Sequence, residues 1–121
     1  MKFWIQMGSA VVLHGVAGLL VLVALLFVVP SITPLFAEFG ATLPTATRIS
    51  IALADFAAGT WFVSIPLAGL VTAAHLVVLV LLARREGQFP FWTYSLVVMI
   101  GMSVASIFLF GSMYLPIFQL G

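Results

Sequence analysis

The stretch AVVLHGVAGLLVLVALLFVV, residues 10–29, contains no Lys, Arg, Asp or Glu. A helix that crosses the hydrocarbon core of a bilayer needs about 20 mostly apolar residues at about 1.5 Å rise each, and this run supplies them. Working outward, two further stretches qualify, from about Gly59 to Ala83 and from about Phe91 to Met113. The second contains Pro66, which a lipid-embedded helix tolerates when its surroundings re-satisfy the freed carbonyl. The expected fold is an all-α membrane protein with three transmembrane helices in a single domain. Composition agrees: 64% of the residues are hydrophobic, 6% are charged and the mean hydropathy is +1.35. A soluble domain carries about 25% charged residues, so this chain must turn its surface to lipid. Trp61, Phe62, Trp92 and Tyr94 fall at span ends, where aromatic rings sit at headgroup level. A secretory signal peptide is the competing reading of the first stretch. Its apolar run is too long for that, no small-residue cleavage site follows, and the segment is read as retained.

Charge placement gives an orientation. Lys2 flanks the first span, and Arg84 and Arg85 lie in the short link 84–90 between the second and third. Basic residues beside short loops favour the cytoplasm, which puts the N-terminus and link 84–90 inside and the C-terminus outside. The segment 30–58 is then external, with Arg48 its only basic residue against Glu38 and Asp55. The net charge of +1 offers nucleic acid no basic surface. With no cysteine, disulfides, thiolate metal sites and a cysteine nucleophile are excluded.

The external segment has more pattern than a connector needs. Pro30 and Pro34 are expected to stop or kink the first helix. Leu35, Phe36 and Phe39 then recur at helical spacing, and Gly40 is placed to end a helical turn in the left-handed conformation. Pro44 suits the first position of a new helix. Beyond it Ile49, Leu53 and Phe56 share one apolar face, with Arg48, Ala52 and Asp55 on another. The expectation is a short amphipathic helical hairpin at the outer membrane boundary, whose Leu35, Phe36, Phe39, Pro44, Arg48, Asp55 and Phe56 meet an extracytoplasmic partner. The first and third spans run in the same direction and both approach proline, at Val28-Val29-Pro30 and Tyr114-Leu115-Pro116.

In these residues the chain resembles the type II secretion protein F family, which includes the inner-membrane platform proteins of type IV pili. Its members leave their first span through Val-Pro, an amphipathic Phe/Glu-rich turn and Gly. Leu-Pro-x-x-Thr-Arg and an aliphatic helix ending in Ser-Asp-Phe follow. The run here is Val29-Pro30, Leu35-Phe36-Ala37-Glu38-Phe39-Gly40, Leu43-Pro44, Thr47-Arg48 and Ala54-Asp55-Phe56. The terminus Tyr114-Leu115-Pro116-Ile117-Phe118-Gln119-Leu120 is similar to the family's C-terminal end. The resemblance implies a bacterial inner-membrane protein with three spans and a scaffolding role in secretion or pilus assembly. It also implies a departure, because the family's two cytoplasmic helical domains have as counterparts only Met1–Ser9 and Arg84–Pro90.

His14 and His75 are the only histidines, and both sit inside spans. An intramembrane ionisable side chain is a functional candidate by default. A facing pair could ligate a haem iron or another metal, with Gly15 and Gly18 leaving room for the macrocycle. That reading makes the chain an accessory subunit of an electron-transfer or photosynthetic membrane complex. The plainer reading is a hydrogen bond between helices or to a partner subunit, and no cofactor is expected. Gly101 with Ala105, Gly69 with Ala73, and the Gly8/Gly15/Gly18 face are small-residue patterns that let helices approach. Packing within the three-helix unit is favoured over an oligomer interface, though association with other membrane subunits or further copies is expected as well. Glu38, Arg48 and Asp55 lack a neighbouring nucleophile or oxyanion site, so a surface ion pair, worth under about 1 kcal/mol, is expected instead. Glu86 joins Arg84 and Arg85 in a charge cluster suited to headgroups. No phosphate loop or nucleophile motif is present, and the chain is not read as an enzyme.

Overall fold

The computed structural model describes residues 2–40, 42–85 and 87–118. The described residues are helical apart from short turns and contain no strand. They form α1 (Lys2–Val23), a five-residue π turn (Ala24–Val28), α2 (Val29–Glu38), α3 (Thr45–Gly59), α4 (Trp61–Ala83) and α5 (Phe89–Phe118). Three helices are long and apolar enough to cross a membrane: Lys2–Glu38, Trp61–Ala83 and Phe89–Phe118. The chain is therefore a multi-pass all-α membrane protein; of the expected helical hairpin only α3 is a separate helix, because α2 continues the first long helix.

The first helix does not stop at Pro30 or Pro34. Lys2–Glu38 is one continuous helix of 37 residues. The π turn explains how a proline enters it. Val29 donates its N–H to the Ala24 carbonyl, one residue further back than in an α-helix. This widened turn accommodates a ring that would otherwise strike the carbonyl four residues earlier. Ser31 and Thr33 donate their hydroxyls to the Phe27 and Val29 carbonyls at 2.5 and 2.8 Å, so neither side chain brings an unpaired polar atom into an apolar setting. The helix ends where expected, at Gly40, whose φ of 59° needs a residue without a Cβ. Pro44 is the N-cap of α3 rather than its first residue, and its carbonyl accepts the Arg48 N–H at 3.0 Å. Only Thr60 separates α3 from α4.

The bundle is organised by α1 and α5, which run parallel. Ala10 packs with Phe91, His14 reaches Ser95, and Val29 packs with Met113. Along α1 and the π turn, a seam of buried or half-buried residues runs through Phe3, Met7, Ala10, His14, Ala17, Val21, Ala24 and Val28. On α5 the facing seam runs through Phe91, Ser95, Val98, Met102, Ala105, Leu109, Ser112 and Pro116. Both alternate steps of three and four, the spacing of helices packed side by side at a small crossing angle. Continuing the α1 series would bury Ser31 and Leu35. The residue added by the π turn shifts the phase, so Val29, Ile32 and Phe36 turn inward instead.

α4 is less tightly held. It meets the others near its C-terminal end, through Leu79, Leu82 and Ala83 against Met7, Ala10, Phe91 and Tyr94. From Trp61 to Ala74 every residue is exposed except half-buried Ser64. A second core of Val29, Phe36, Ala54 and Met113 lies at the opposite end, where α3 docks on α2 and α5.

Candidate functional site: the histidine cleft and the docked α3 helix

Two places gather the residues singled out by sequence. The first is a cleft of about 780 Å³ between α4 and the α1–α5 pair, bordered by His14, Gly15, Gly18, His75, Tyr94 and Met102 among others. Its size falls within the range of small-molecule pockets, and its walls are largely aliphatic. The two histidines do face each other, with ring centroids 4.8 Å apart and planes at 70°. His14 is 5% exposed, and its Nδ1–H donates to the Ala10 carbonyl at 2.6 Å. Its Nε2 lies 3.3 Å from the Ser95 carbonyl on α5. His75 Nδ1 is hydrogen-bonded with the Tyr94 hydroxyl at 2.8 Å, and the two rings lie 5.5 Å apart. Tyr94 thus turns inward to α4 rather than to the headgroups.

This arrangement does not fit a bis-histidine haem. The imidazoles touch edge to face, with no gap for a macrocycle between them, and three of their four nitrogens already face protein groups. Among the described residues no third His, Cys, Asp or Glu joins them as a metal-binding group. What the trio does in this geometry is join helices: His14 links α1 to α5, and His75 with Tyr94 links α4 to α5. His75 Nε2 is shielded and has no hydrogen-bond partner, consistent with the looser seat of α4.

The second place is α3. Its inward face is polar and small: Thr47 and Ser50 are fully buried and Ala54 nearly so. The reason lies on α5. In an α-helix the Ser112 carbonyl would accept the N–H of residue 116, but Pro116 has none. Thr47 supplies the missing donor, its hydroxyl reaching the Ser112 carbonyl at 2.6 Å. Ser50 and Ser112 share a second hydroxyl bond of 2.7 Å. The third helix therefore does not end near Met113; it runs on to Phe118, and the proline creates the dock for α3. The sequence carried this signal in proline four residues after serine, but nothing in it paired that site with Thr47.

With Thr47 and Ser50 inward, the apolar stripe of α3 points away from the chain: Ile49, Leu53 and Phe56 are 47%, 48% and 67% exposed. Arg48 and Asp55 are exposed beside them. The expected ion pair is not formed; the Arg48 guanidinium donates instead to the Thr45 hydroxyl at 3.3 Å. Leu35 and Phe39 are also exposed and Pro44 is half-buried, but Phe36 is not available to a partner. The phase shift of the π turn places it in the core with Val29, Ala54 and Met113.

The small-residue patterns are mostly not intramolecular contacts. A Cβ added at Gly8, Gly15, Gly18, Gly69 or Gly101 would meet no atom within 4 Å. Ala73 is exposed, and only Ala105 lies on the α1–α5 seam. Close approach inside the chain uses Ala10, Ala17, Ala24 and Ala54, because a parallel seam of threes and fours selects positions by phase and not by glycine. Glu86 and the Gln119–Leu120 end of the C-terminal motif lie outside the described residues. Compared with family models, curated proteins and solved structures, the chain matches none.

Proposed function

We propose that this chain is a non-enzymatic scaffold of the bacterial inner membrane, similar to the membrane core of type II secretion and type IV pilus platform proteins. Its N-terminus faces the cytoplasm and α3 the periplasm. The observation that carries this reading is the docking of α3. Two buried hydroxyl contacts fix the helix on the end of α5 and leave Ile49, Leu53, Phe56, Arg48 and Asp55 presented together. A helix held by its polar face and showing its apolar face is arranged for recognition, since an exposed apolar patch framed by polar groups marks an interaction surface. Inside the bilayer, the open faces at Gly15, Gly18, Gly69 and Gly101 suit close approach by helices of other subunits or further copies. Affinity purification of the tagged chain from native membranes tests the reading. Arg48→Glu should lose the partners recovered with the wild type while the variant still inserts. Recovery of every partner unchanged in Arg48→Glu and in Pro44→Ala would overturn it.

A further inference from the structure

At the end of the bundle where α1 and α5 begin, a second and smaller cavity of about 250 Å³ lies between α1, the α4–α5 turn and the start of α5. It holds the volume of about eight liquid waters. Lys2 comes to it from α1 and Arg85 from the turn, 83 positions apart in sequence yet lining one cavity. Gln6 and Gln88 line it as well, and Gln6 Nε2 is a shielded donor with no hydrogen-bond partner. Gly87, at φ 94°, makes the turn that carries the chain around the cavity into α5. The remaining wall is apolar, with Phe3, Leu82 and Phe91.

We propose that this cavity binds a phosphate group, and that its source is the headgroup of an anionic phospholipid. The Lys2 and Arg85 cations give a phosphodiester charge-assisted hydrogen bonds. The first N–H groups of the two helices, unpaired within each helix, add positive potential at the same end. Basic pockets between membrane helices at the cytoplasmic side have the chemistry of lipid-headgroup sites. The apolar wall favours a lipid over free phosphate, because it offers the glycerol and upper acyl carbons a surface that inorganic phosphate cannot use. The site is independent of the scaffold reading: it requires only that the helices span a bilayer.

The test uses the full chain purified in detergent, with phosphatidylglycerol, phosphatidylcholine or inorganic phosphate added and adducts counted by native mass spectrometry. A one-to-one phosphatidylglycerol adduct is expected, weakened about five-fold for each cation removed in Lys2→Gln and Arg85→Gln. Lys2→Arg and Arg85→Lys should restore it. Arg84 adjoins Arg85 in sequence but does not line the cavity, so Arg84→Gln should change binding less than two-fold. Retained helicity by circular dichroism separates lost binding from lost folding. Competition by millimolar phosphate would support the site with phosphate alone as the recognised group. Equal losses in Arg84→Gln and Arg85→Gln, or equal binding of phosphatidylcholine, would overturn it.

Discussion

Replacing Thr47 by valine removes one hydroxyl while keeping the branched shape, and its consequence follows from Pro116. Thr47 is 0% exposed and its hydroxyl is 2.6 Å from the Ser112 carbonyl. In soluble proteins a buried group left without its partner costs about 1–3 kcal/mol, whereas interhelical bonds in membrane proteins average about 0.6 kcal/mol and reach about 1.7. The lower figure holds when the freed group finds another partner. Here proline has removed the N–H that would serve, so we expect about 1.5 kcal/mol. Detergent-solubilised chain titrated with SDS and followed by circular dichroism measures the loss. The decisive comparison is made in Pro116→Ala, where residue 116 regains an N–H and the Ser112 carbonyl an intrahelical donor. Thr47→Val should then cost less than about 0.5 kcal/mol, a coupling of about 1 kcal/mol in a double-mutant cycle. Equal costs in both backgrounds would refute the reasoning.

Three further outcomes follow from side-chain placement. Phe36→Ala should destabilise the chain by about 2 kcal/mol in the same titration, below a soluble-core value because lipid and not water is the reference solvent. Phe39→Ala, at a site 65% exposed, should change stability by less than about 0.5 kcal/mol. Haem titrated into the purified chain should give no low-spin bis-histidyl spectrum, and His75→Ala should leave the titration unchanged. A Soret band lost in that variant would show that the histidine rings separate to admit a macrocycle.

The spans were legible because they rest on one physical requirement, the length of apolar chain that satisfies a bilayer. Gly40 and the start of α3 near Pro44 were legible for a similar reason, since both depend on local backbone chemistry. The prolines misled. Pro30 read locally as a stop or a kink and the third span was expected to end before Pro116, but a π turn in one case and a threonine on another helix in the other let the helix continue. The inward turn of Phe36 was hidden as well, because a one-residue phase shift is written in hydrogen-bond pattern and not in residue type. Glycine spacing suggested helix contacts in a chain where glycine is common, and the structure uses alanine at those contacts. The facing of His14 and His75 was anticipated; their partners Ser95 and Tyr94 were not, since one contributes a backbone carbonyl and the other read as an interfacial anchor.

The parallel pairing of α1 with α5 has a consequence for synthesis. The contact between His14 and Ser95 spans 81 positions, so at roughly 5–20 residues per second the first helix is made some 4–16 seconds before its neighbour. During that interval α1 lies in lipid with its alanine-and-histidine stripe uncovered. α4 covers only part of that stripe, with Leu79 against Ala10 and His75 against His14. A ribosome halted before residue 95 would leave His14 with the Ala10 carbonyl as its hydrogen-bond partner and without the Ser95 carbonyl. Completion of the last helix is therefore the step that closes the molecule, and α3 waits on the same event for Ser112.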